Sequence, residues 1–222
     1  DSERVSGVAV ANCDATGGLV IHGDAPYGNN GNNANWVFGN AAAIWQGGAS
    51  GDFMTPGNWS TGQVPGKDDR VIIDAGAVTL GEAVEIAQLT VGGGETAASL
   101  KATAELTVGG GAEVRNGGTL SLNAPSTVGG SFFVRNGGTL THEANSNAET
   151  YKLDLTVAEN VTVEAGGAID VTGKGYAAYQ GPGCANGNSA SSYGGRGANG
   201  NQPDKVKPCY GSILCPFRLG SG

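Results

Sequence analysis

The sequence predicts an all-β protein, a right-handed parallel β-helix, from three observations. The heptapeptide VRNGGTL occurs twice, beginning at Val114 and at Val134, 20 residues apart. Short segments of alternating apolar and polar residues recur at a similar spacing through the middle of the chain, which indicates short strands. Glycine supplies 41 of 222 residues without the Gly-X-Y period of collagen. Short strands separated by glycine turns are typical of a solenoid in which each repeat forms one coil.

The repeats define which residues should face the interior. From Asp69 the sequence divides into lines of about 17 to 29 residues, with an insertion around 146–154. Equivalent residues of successive coils stack about 4.8 Å apart, so apolar positions should form columns. Three columns are predicted: Val91, Val108, Val128 and Val157; then Val114, Val134 and Val163; then Leu120, Leu140 and Ile169.

Glycine pairs should mark one corner of the coils. They occur at 117–118, 137–138 and 166–167, and glycine adopts φ > 0 without steric cost. Asn116 and Asn136 precede two of these pairs, and asparagine tolerates the same conformation. A β-sandwich is the alternative fold, because NGG also closes hairpins. A sandwich should show turns about every 8–12 residues without a 20-residue register.

The chain divides into three predicted parts. Residues 1–68 lack the repeat, contain Trp36, Trp45 and Trp59, and are predicted to cap the first coil, whose interior would otherwise be exposed. Residues 69–173 should form the coils. Residues 174–222 form a glycine-rich segment with cysteines, which we expect to be truncated or to end against another molecule.

Four cysteines, Cys13, Cys184, Cys209 and Cys215, are the disulfide candidates. An even number in such a chain favours two disulfides and an oxidising compartment, with Cys184 joined to Cys209 or Cys215. Buried free thiols are the alternative. Asn58 and Asn160 lie in NWS and NVT triplets and are candidates for N-glycosylation.

Charge and hydropathy exclude some classes of function. The net charge of −8 argues against binding to nucleic-acid phosphates, which requires clustered lysine and arginine. No run of 18 apolar residues exists, so no membrane span is predicted. The first residues also lack the basic and apolar regions of a signal peptide, which is therefore absent or already removed.

One long segment resembles the opening module of large secreted β-helix proteins, which include autotransporter-passenger-like and adhesin-like repeat proteins with G8-type modules. The resemblance is carried by Trp45, 57–59, 64–66, Asp68, Asp69, 71–73 and 78–80. The run from GKGYAAYQGPG to LGSG is similar to the glycine-rich segment that interrupts such β-helices before further coils. The resemblance implies an extracellular or cell-surface protein. The cysteines of the glycine-rich segment depart from the pattern, as does the end of the chain where further coils are expected.

The sequence contains no convincing arrangement of catalytic residues. A glycosidase needs two carboxylates about 5–10 Å apart. Asp68, Asp69 and Asp74 are close in sequence, but their simpler role is to cap the turn after VPG and to solvate the edge. His142 is expected in an exposed loop. Glu113, Glu143 and Glu164 recur near corners and are expected to align, where Ca²⁺ could relieve their repulsion. No cofactor is predicted, and bound Ca²⁺ is the alternative.

Arg115 and Arg135 are the best candidates for contact with an acidic glycan, because they lie one coil apart and should share a face. Two solvated arginines beside Glu113 and Glu143 are the simpler interpretation. Tyr176 and Tyr179 are candidates for stacking on sugars. The tryptophans are more simply explained as core of the cap.

The sequence therefore favours a non-catalytic extracellular scaffold or adhesive module of a surface protein or filament, whose solenoid ends contact other copies or other surface proteins. The first alternative is a glycan-binding module, which would show exposed aromatic side chains. The second is a β-helix polysaccharide lyase or glycosidase, which would show a groove with paired carboxylates or a cation.

Overall fold

A computed structural model describes residues 3–5, 12, 21–24, 36–39, 42–184, 191–197, 208–214 and 218–221. Within these ranges the regular structure is almost entirely β, with a single short 3-10 turn at Pro56–Asn58. A separate N-terminal sheet joins three parallel strands, β1 (Glu3–Val5), β2 (Ile21–Asp24) and β3 (Trp36–Gly39). No helix of the described part is long and apolar enough to cross a bilayer.

Three further parallel sheets take their strands from the chain in rotation. Sheet 1 contains β4 (Ala42–Ile44), β6 (Arg70–Ile73), β9 (Gln88–Val91), β12 (Ala112–Val114), β15 (Phe132–Val134) and β18 (Val161–Val163). Sheet 2 contains β5 (Ser50–Asp52), β7 (Gly76–Leu80), β10 (Ala98–Ala102), β13 (Gly118–Leu122), β16 (Thr139–Thr141) and β19 (Ala168–Ile169). Sheet 3 contains β8 (Val84–Ile86), β11 (Leu106–Val108), β14 (Ser126–Val128) and β17 (Leu155–Val157).

This order is compatible with a parallel β-solenoid. One strand from each sheet, such as β9, β10 and β11, makes one coil, and each strand pairs with its equivalent in the next coil. Ala112 pairs with Phe132, 20 residues later, as the repeat predicts. The insertion loop, residues 142–154, lies between β16 and β17. Its buried Asn145 accepts hydrogen bonds from Thr150 and Tyr151 and donates to the carbonyls of Tyr151 and Lys174.

The inward columns confirm most of the predicted register and correct one position. Leu100, Leu120 and Leu140 stack in sheet 2, and Val108 and Val128 stack in sheet 3, all with buried side chains. Val91 was predicted in the sheet 3 column but lies in sheet 1, paired with Val114. The sequence LTVGGG occurs at 89–94 and 106–111, and its two copies therefore lie on different faces.

The predicted glycine corner is confirmed. The two glycines of each pair are required for different reasons. Gly117, Gly137 and Gly166 have φ of 70°, 74° and 84° at the turn from sheet 1 to sheet 2. The second glycine of each pair is required by close approach instead, since a Cβ on Gly138 would lie 2.4 Å from the Val114 carbonyl oxygen. The prediction that asparagine shares the left-handed conformation is wrong for Asn116 and Asn136. Their side chains instead lie against the glycine of the next coil.

The coil of β4 and β5 contains a buried aromatic cluster of Trp45, Phe53 and Trp59. The Trp59 ring packs edge-on against Trp45 and Phe53, with centroids 5.3 and 4.7 Å apart. The Trp59 indole N–H donates to the Phe53 carbonyl at 2.7 Å, so the ring is buried with its polar group satisfied. Sheets 1 and 2 thus begin N-terminal to Asp69, where the coils were predicted to start. The side chain of Trp36 lies outside the described part of the structure.

The opposite end of the stack leaves its interior open. Phe132 and Val134 are fully buried, whereas Val161 and Val163, which follow them in the same columns, are 52% and 44% exposed. Leu140 is 1% exposed and Ile169, its successor, is 45% exposed. No described strand pairs with the outer edges of β17, β18 and β19.

The described residues after β19 form no strand and contain no disulfide. Cys184 is buried and Cys209 is exposed, and they are not joined, so the predicted Cys184–Cys209 bridge is not formed. Cys13 and Cys215 lie outside the described residues, so the alternative pairing of Cys184 with Cys215 stays a prediction. The Tyr210 hydroxyl instead donates to the Leu219 carbonyl and contacts the Ser221 hydroxyl, which accepts from the Gly183 N–H.

Candidate functional site

Arg115 and Arg135 lie at equivalent positions, each directly after a strand of sheet 1. The backbone N–H of Arg115 donates to Val91, and that of Arg135 donates to Val114, one coil further along. This arrangement places the two side chains at the same corner, as the repeat predicts. Glu164 holds the equivalent position in the next coil, where its N–H donates to Val134.

The two arginines are occupied by carboxylates. Arg115 contacts Glu113 at 2.5 Å between Nη2 and Oε1. Arg135 contacts Glu113 at 3.3 Å through Nε and Glu164 at 2.5 Å through Nη1. The Arg135 guanidinium also lies over the Phe133 ring, 4.1 Å from its centroid. The result is an alternating ladder of charges along the corner, which we call the ion-pair ladder: Arg115, Glu113, Arg135 and Glu164.

The ladder holds its carboxylates ionised. Burial acts to raise the pKa of Glu113, whose side chain is 18% exposed, but hydrogen bonds and charges from Arg115 and Arg135 outweigh it and hold the pKa below its ordinary value. The hydrogen bond from Arg135 lowers the pKa of Glu164. The hydrogen bond to Glu164 in turn raises the pKa of Arg135.

The predicted alignment of Glu113, Glu143 and Glu164 is wrong for Glu143. Glu143 follows a strand of sheet 2 and pairs with Lys101 at 3.5 Å. Arg135 lies between Glu113 and Glu164 and neutralises their repulsion, which removes the reason for placing Ca²⁺ there. No group of three or more metal-ligating side chains is present among the residues that the structure describes.

An open groove of about 490 Å³ runs across the outer face of sheet 1 beside the ladder. The glycine turns from sheet 3 to sheet 1, at 110–111 and at Gly130, line it. Its side chains come from successive coils and are Arg70, Gln88, Thr90, Glu113, Ser131, Phe133, Arg135 and Glu159. Arg135 lines the groove, whereas Arg115 does not.

The register explains why a groove forms here. Arg70 pairs with Gln88 in the next coil. Because the following residue, Leu89, pairs with Ala112, Gly111 lies opposite Gln88, and Ser131 continues this column. Glycine at that position leaves a hollow between longer side chains. The parallel column contains Thr90, Glu113 and Phe133. Sequence reasoning missed Arg70, Gln88, Phe133 and Glu159, and the 18-residue spacing from Arg70 to Gln88 is the signal that could have aligned the first two.

The tyrosine candidates do not join this site. Tyr176 is partly buried, and burial raises the pKa of its hydroxyl. Tyr179 is exposed and has φ of 62°. Both lie in the segment after β19, and neither lines the groove on sheet 1.

The glycosylation candidates differ in accessibility. Asn58 is partly buried in the 3-10 turn, and its side-chain amide donates to the Asp52 carbonyl at 2.9 Å. Asn160 is exposed in the turn between β17 and β18. Only Asn160 therefore offers an amide without such a hydrogen bond within the described structure.

The acidic residues after VPG have the simple role expected of them. The Asp69 carboxylate accepts from the Gly66 N–H at 2.8 Å, which caps the turn, and Asp68 pairs with Lys67 at the surface. His142 was expected in an exposed loop, but it is buried. Its Nδ1 lies 2.7 Å from the Glu143 carbonyl oxygen. It follows β16 in register with Leu122, an inward position.

Comparison of the chain with protein families, curated proteins and solved structures finds no match.

Proposed function

We propose that the chain is a right-handed parallel β-helix that serves as a non-catalytic scaffold module outside the cell, in a surface or adhesive assembly. Right-handed connection is the expected hand, because strands twist so that parallel crossovers close that way. A stack of coils is stiff, and its open end offers unpaired backbone groups for strand addition.

The observation that carries the proposal is the change of exposure within single columns. Val161, Val163 and Ile169 are aliphatic and about half exposed, although their predecessors are buried. Burying such a surface is favourable by about 25 cal/mol per Å². The end coil therefore has an apolar face, and its strand edges pair with no described strand. A further β layer would cover the first and pair with the second.

We assign a second copy of the chain as the occupant of this open end. The inward-facing residues Val161, Val163 and Ile169 are aliphatic and uncharged, so two copies related by a two-fold axis can pack this surface against itself. At the other end of the stack, the coil of β4 and β5 is filled by Trp45, Phe53 and Trp59. Association through one open end gives a pair of rods joined end to end.

The experiment is light scattering of the full chain under native, non-reducing conditions, with negative-stain microscopy. The expected result is the mass of a dimer, seen as two elongated particles joined end to end. The double variant Val161→Glu and Val163→Glu should be monomeric, because it places charges on the apolar end. Thr162→Glu is the matched control, since the side chain between the two valines points to the outer face, and it should pair like the original chain. A monomeric original chain would contradict the proposal.

The enzyme alternative has less support. Glu113 and Glu164, the carboxylates of the ladder, are held by arginines rather than left to transfer protons. An assay for cleavage of uronate polymers and neutral polysaccharides tests it directly.

A further inference from the structure

Within the described part of the chain, Arg70 differs from Arg115 and Arg135 in having no side-chain partner. Arg115 and Arg135 are held by Glu113 and Glu164. Arg70 forms no ion pair, and neither Arg70 nor Gln88 forms a side-chain hydrogen bond, with any residue in the described part of the chain. Both side chains line the groove, so the donors of the guanidinium and the amide are available to a ligand.

The remaining side chains of the groove lie in two neighbouring columns, that of Arg70, Gln88 and Ser131 and that of Thr90, Glu113 and Phe133. Thr90 and Glu113 occupy the next two coils, and Ser131, Phe133 and Glu159 close the far end. Arg70 and Phe133 belong to strands three coils apart, which corresponds to about 14 Å along the stack. The groove therefore has a cation at one end, carboxylate acceptors further along, and an aromatic ring with its stacked guanidinium at the other.

From this arrangement we infer that the groove binds an extended oligosaccharide that carries a carboxylate or sulfate on the unit beside Arg70. An anionic group matches the guanidinium in charge and geometry. Sugar hydroxyls donate to the carboxylates of Glu113 and Glu159, and the Phe133 ring provides apolar contact. The length of the groove suits several linked units, and its open shape admits a chain that continues beyond either end.

An extended peptide fits the groove less well. Peptides that bind to sheets do so mainly by adding a strand to a free edge. The strands that form this groove, β6, β9, β12 and β15, each pair on both sides and offer no free edge. Recognition must therefore proceed through side chains on the face of the sheet, where hydroxyl-rich ligands find several partners.

The acidic group of the glycan is thereby assigned to Arg70 instead of the predicted Arg115 and Arg135. The positive charge of Arg115 and Arg135 is already neutralised within the ladder, and a ligand anion would have to displace a carboxylate there. At Arg70 the ligand has no carboxylate of the described structure to displace. The inference does not depend on association of the open end, because the groove lies on the outer face of sheet 1.

The test is binding of the full chain to an array of uronate-bearing, sulfated, sialylated and neutral oligosaccharides. It is followed by calorimetric titration with the best acidic ligand and with its charge-neutral methyl ester or desulfated form. The original chain should retain acidic ligands and prefer them to the neutral form. Arg70→Gln should weaken binding of the acidic ligand about tenfold and leave the neutral form almost unaffected.

Gln88→Ala should weaken binding of both ligand forms, since it removes a hydrogen bond that does not depend on ligand charge. Lys101→Gln is the matched control, because it removes a positive charge from sheet 2 and should change neither affinity. Thermal unfolding of each variant confirms that the fold is retained.

Three results would overturn the inference. The array could retain no acidic oligosaccharide, Arg70→Gln could bind the acidic ligand as tightly as the original chain does, or Lys101→Gln could lose as much affinity for that ligand as Arg70→Gln. Selective binding of an acidic peptide in place of every glycan would overturn the ligand class.

Discussion

The middle and the end of the stack contain the same columns of residues in different surroundings. Phe132, Val134 and Leu140 are buried by coils on both sides, whereas Val161, Val163 and Ile169 have a coil on one side only. Their chemistry hardly differs, yet exposure rises from at most 1% to about half. In a solenoid the next coil decides whether an inward residue belongs to the core, because each repeat contacts only its neighbours.

The largest expected effect comes from truncating a column in the middle. Phe132→Ala should lower the free energy of unfolding by about 3–5 kcal/mol, because it leaves a cavity among packed side chains. Val161→Ala, the next residue in that column, should cost less than about 1 kcal/mol, because its side chain is half exposed. Urea denaturation of the two variants, at protein concentrations low enough to keep the chain monomeric, measures the difference. Equal losses would show that the end coil is packed as tightly as the middle.

Glycine at the corner gives a smaller contrast. In Gly138→Ala the new Cβ would lie 2.4 Å from the Val114 carbonyl oxygen, and the coils on both sides resist a shift, so a loss of about 1–3 kcal/mol is expected. In Gly167→Ala the Cβ would lie 2.5 Å from the Val134 carbonyl oxygen, but the last coil can move outward. Its loss should be less than about 1 kcal/mol. Thermal unfolding of the monomeric chain at low protein concentration distinguishes them, and a larger loss for Gly167→Ala would contradict an open end.

The ion-pair ladder gives the smallest effect and a defined pH dependence. The pKa of Glu113 is lower in the folded chain than its ordinary value of 4.5, so its contribution to stability is present above pH 4.5. That contribution is lost as the pH falls through the lower, folded pKa. Glu113→Gln should cost about 1 kcal/mol at neutral pH, since the pairs are partly exposed.

The check is the melting temperature of both proteins between neutral pH and about pH 3. The difference between the original chain and Glu113→Gln should shrink as the pH falls below 4.5. A constant difference over that range would show that the carboxylate charge contributes nothing.

The repeat made much of the fold predictable. The spacing of VRNGGTL identified the register of sheets 1 and 2, because identical residues in successive coils must occupy equivalent positions. The same reasoning failed for LTVGGG, whose two copies belong to different sheets. Gly92 and Gly93 have φ of 88° and 93°, whereas 109–111 contain no residue with positive φ. Local sequence is identical there, so only pairing with neighbouring coils decides the conformation.

The site was less predictable than the fold. The common corner of Arg115 and Arg135 followed from the 20-residue spacing, but their neutralisation by Glu164 rather than Glu143 depends on the side of the coil that each glutamate occupies. The guanidinium of Arg70 forms no ion pair with any described residue, which is visible only once the partners of Arg115 and Arg135 are known. Pairwise contacts across coils carry this information, and no single repeat contains it.

Amide hydrogen exchange at low and high protein concentration tests the central claim most directly. The account predicts that protection of Val161–Val163 and Ala168–Ile169 rises with concentration, because the open end pairs with a second copy. The coil at Ala42–Ile44 and Ser50–Asp52 should exchange at the same rate throughout. Exchange at β18 and β19 that does not change with concentration, or a rise at β4 and β5 instead, would contradict association through the open end.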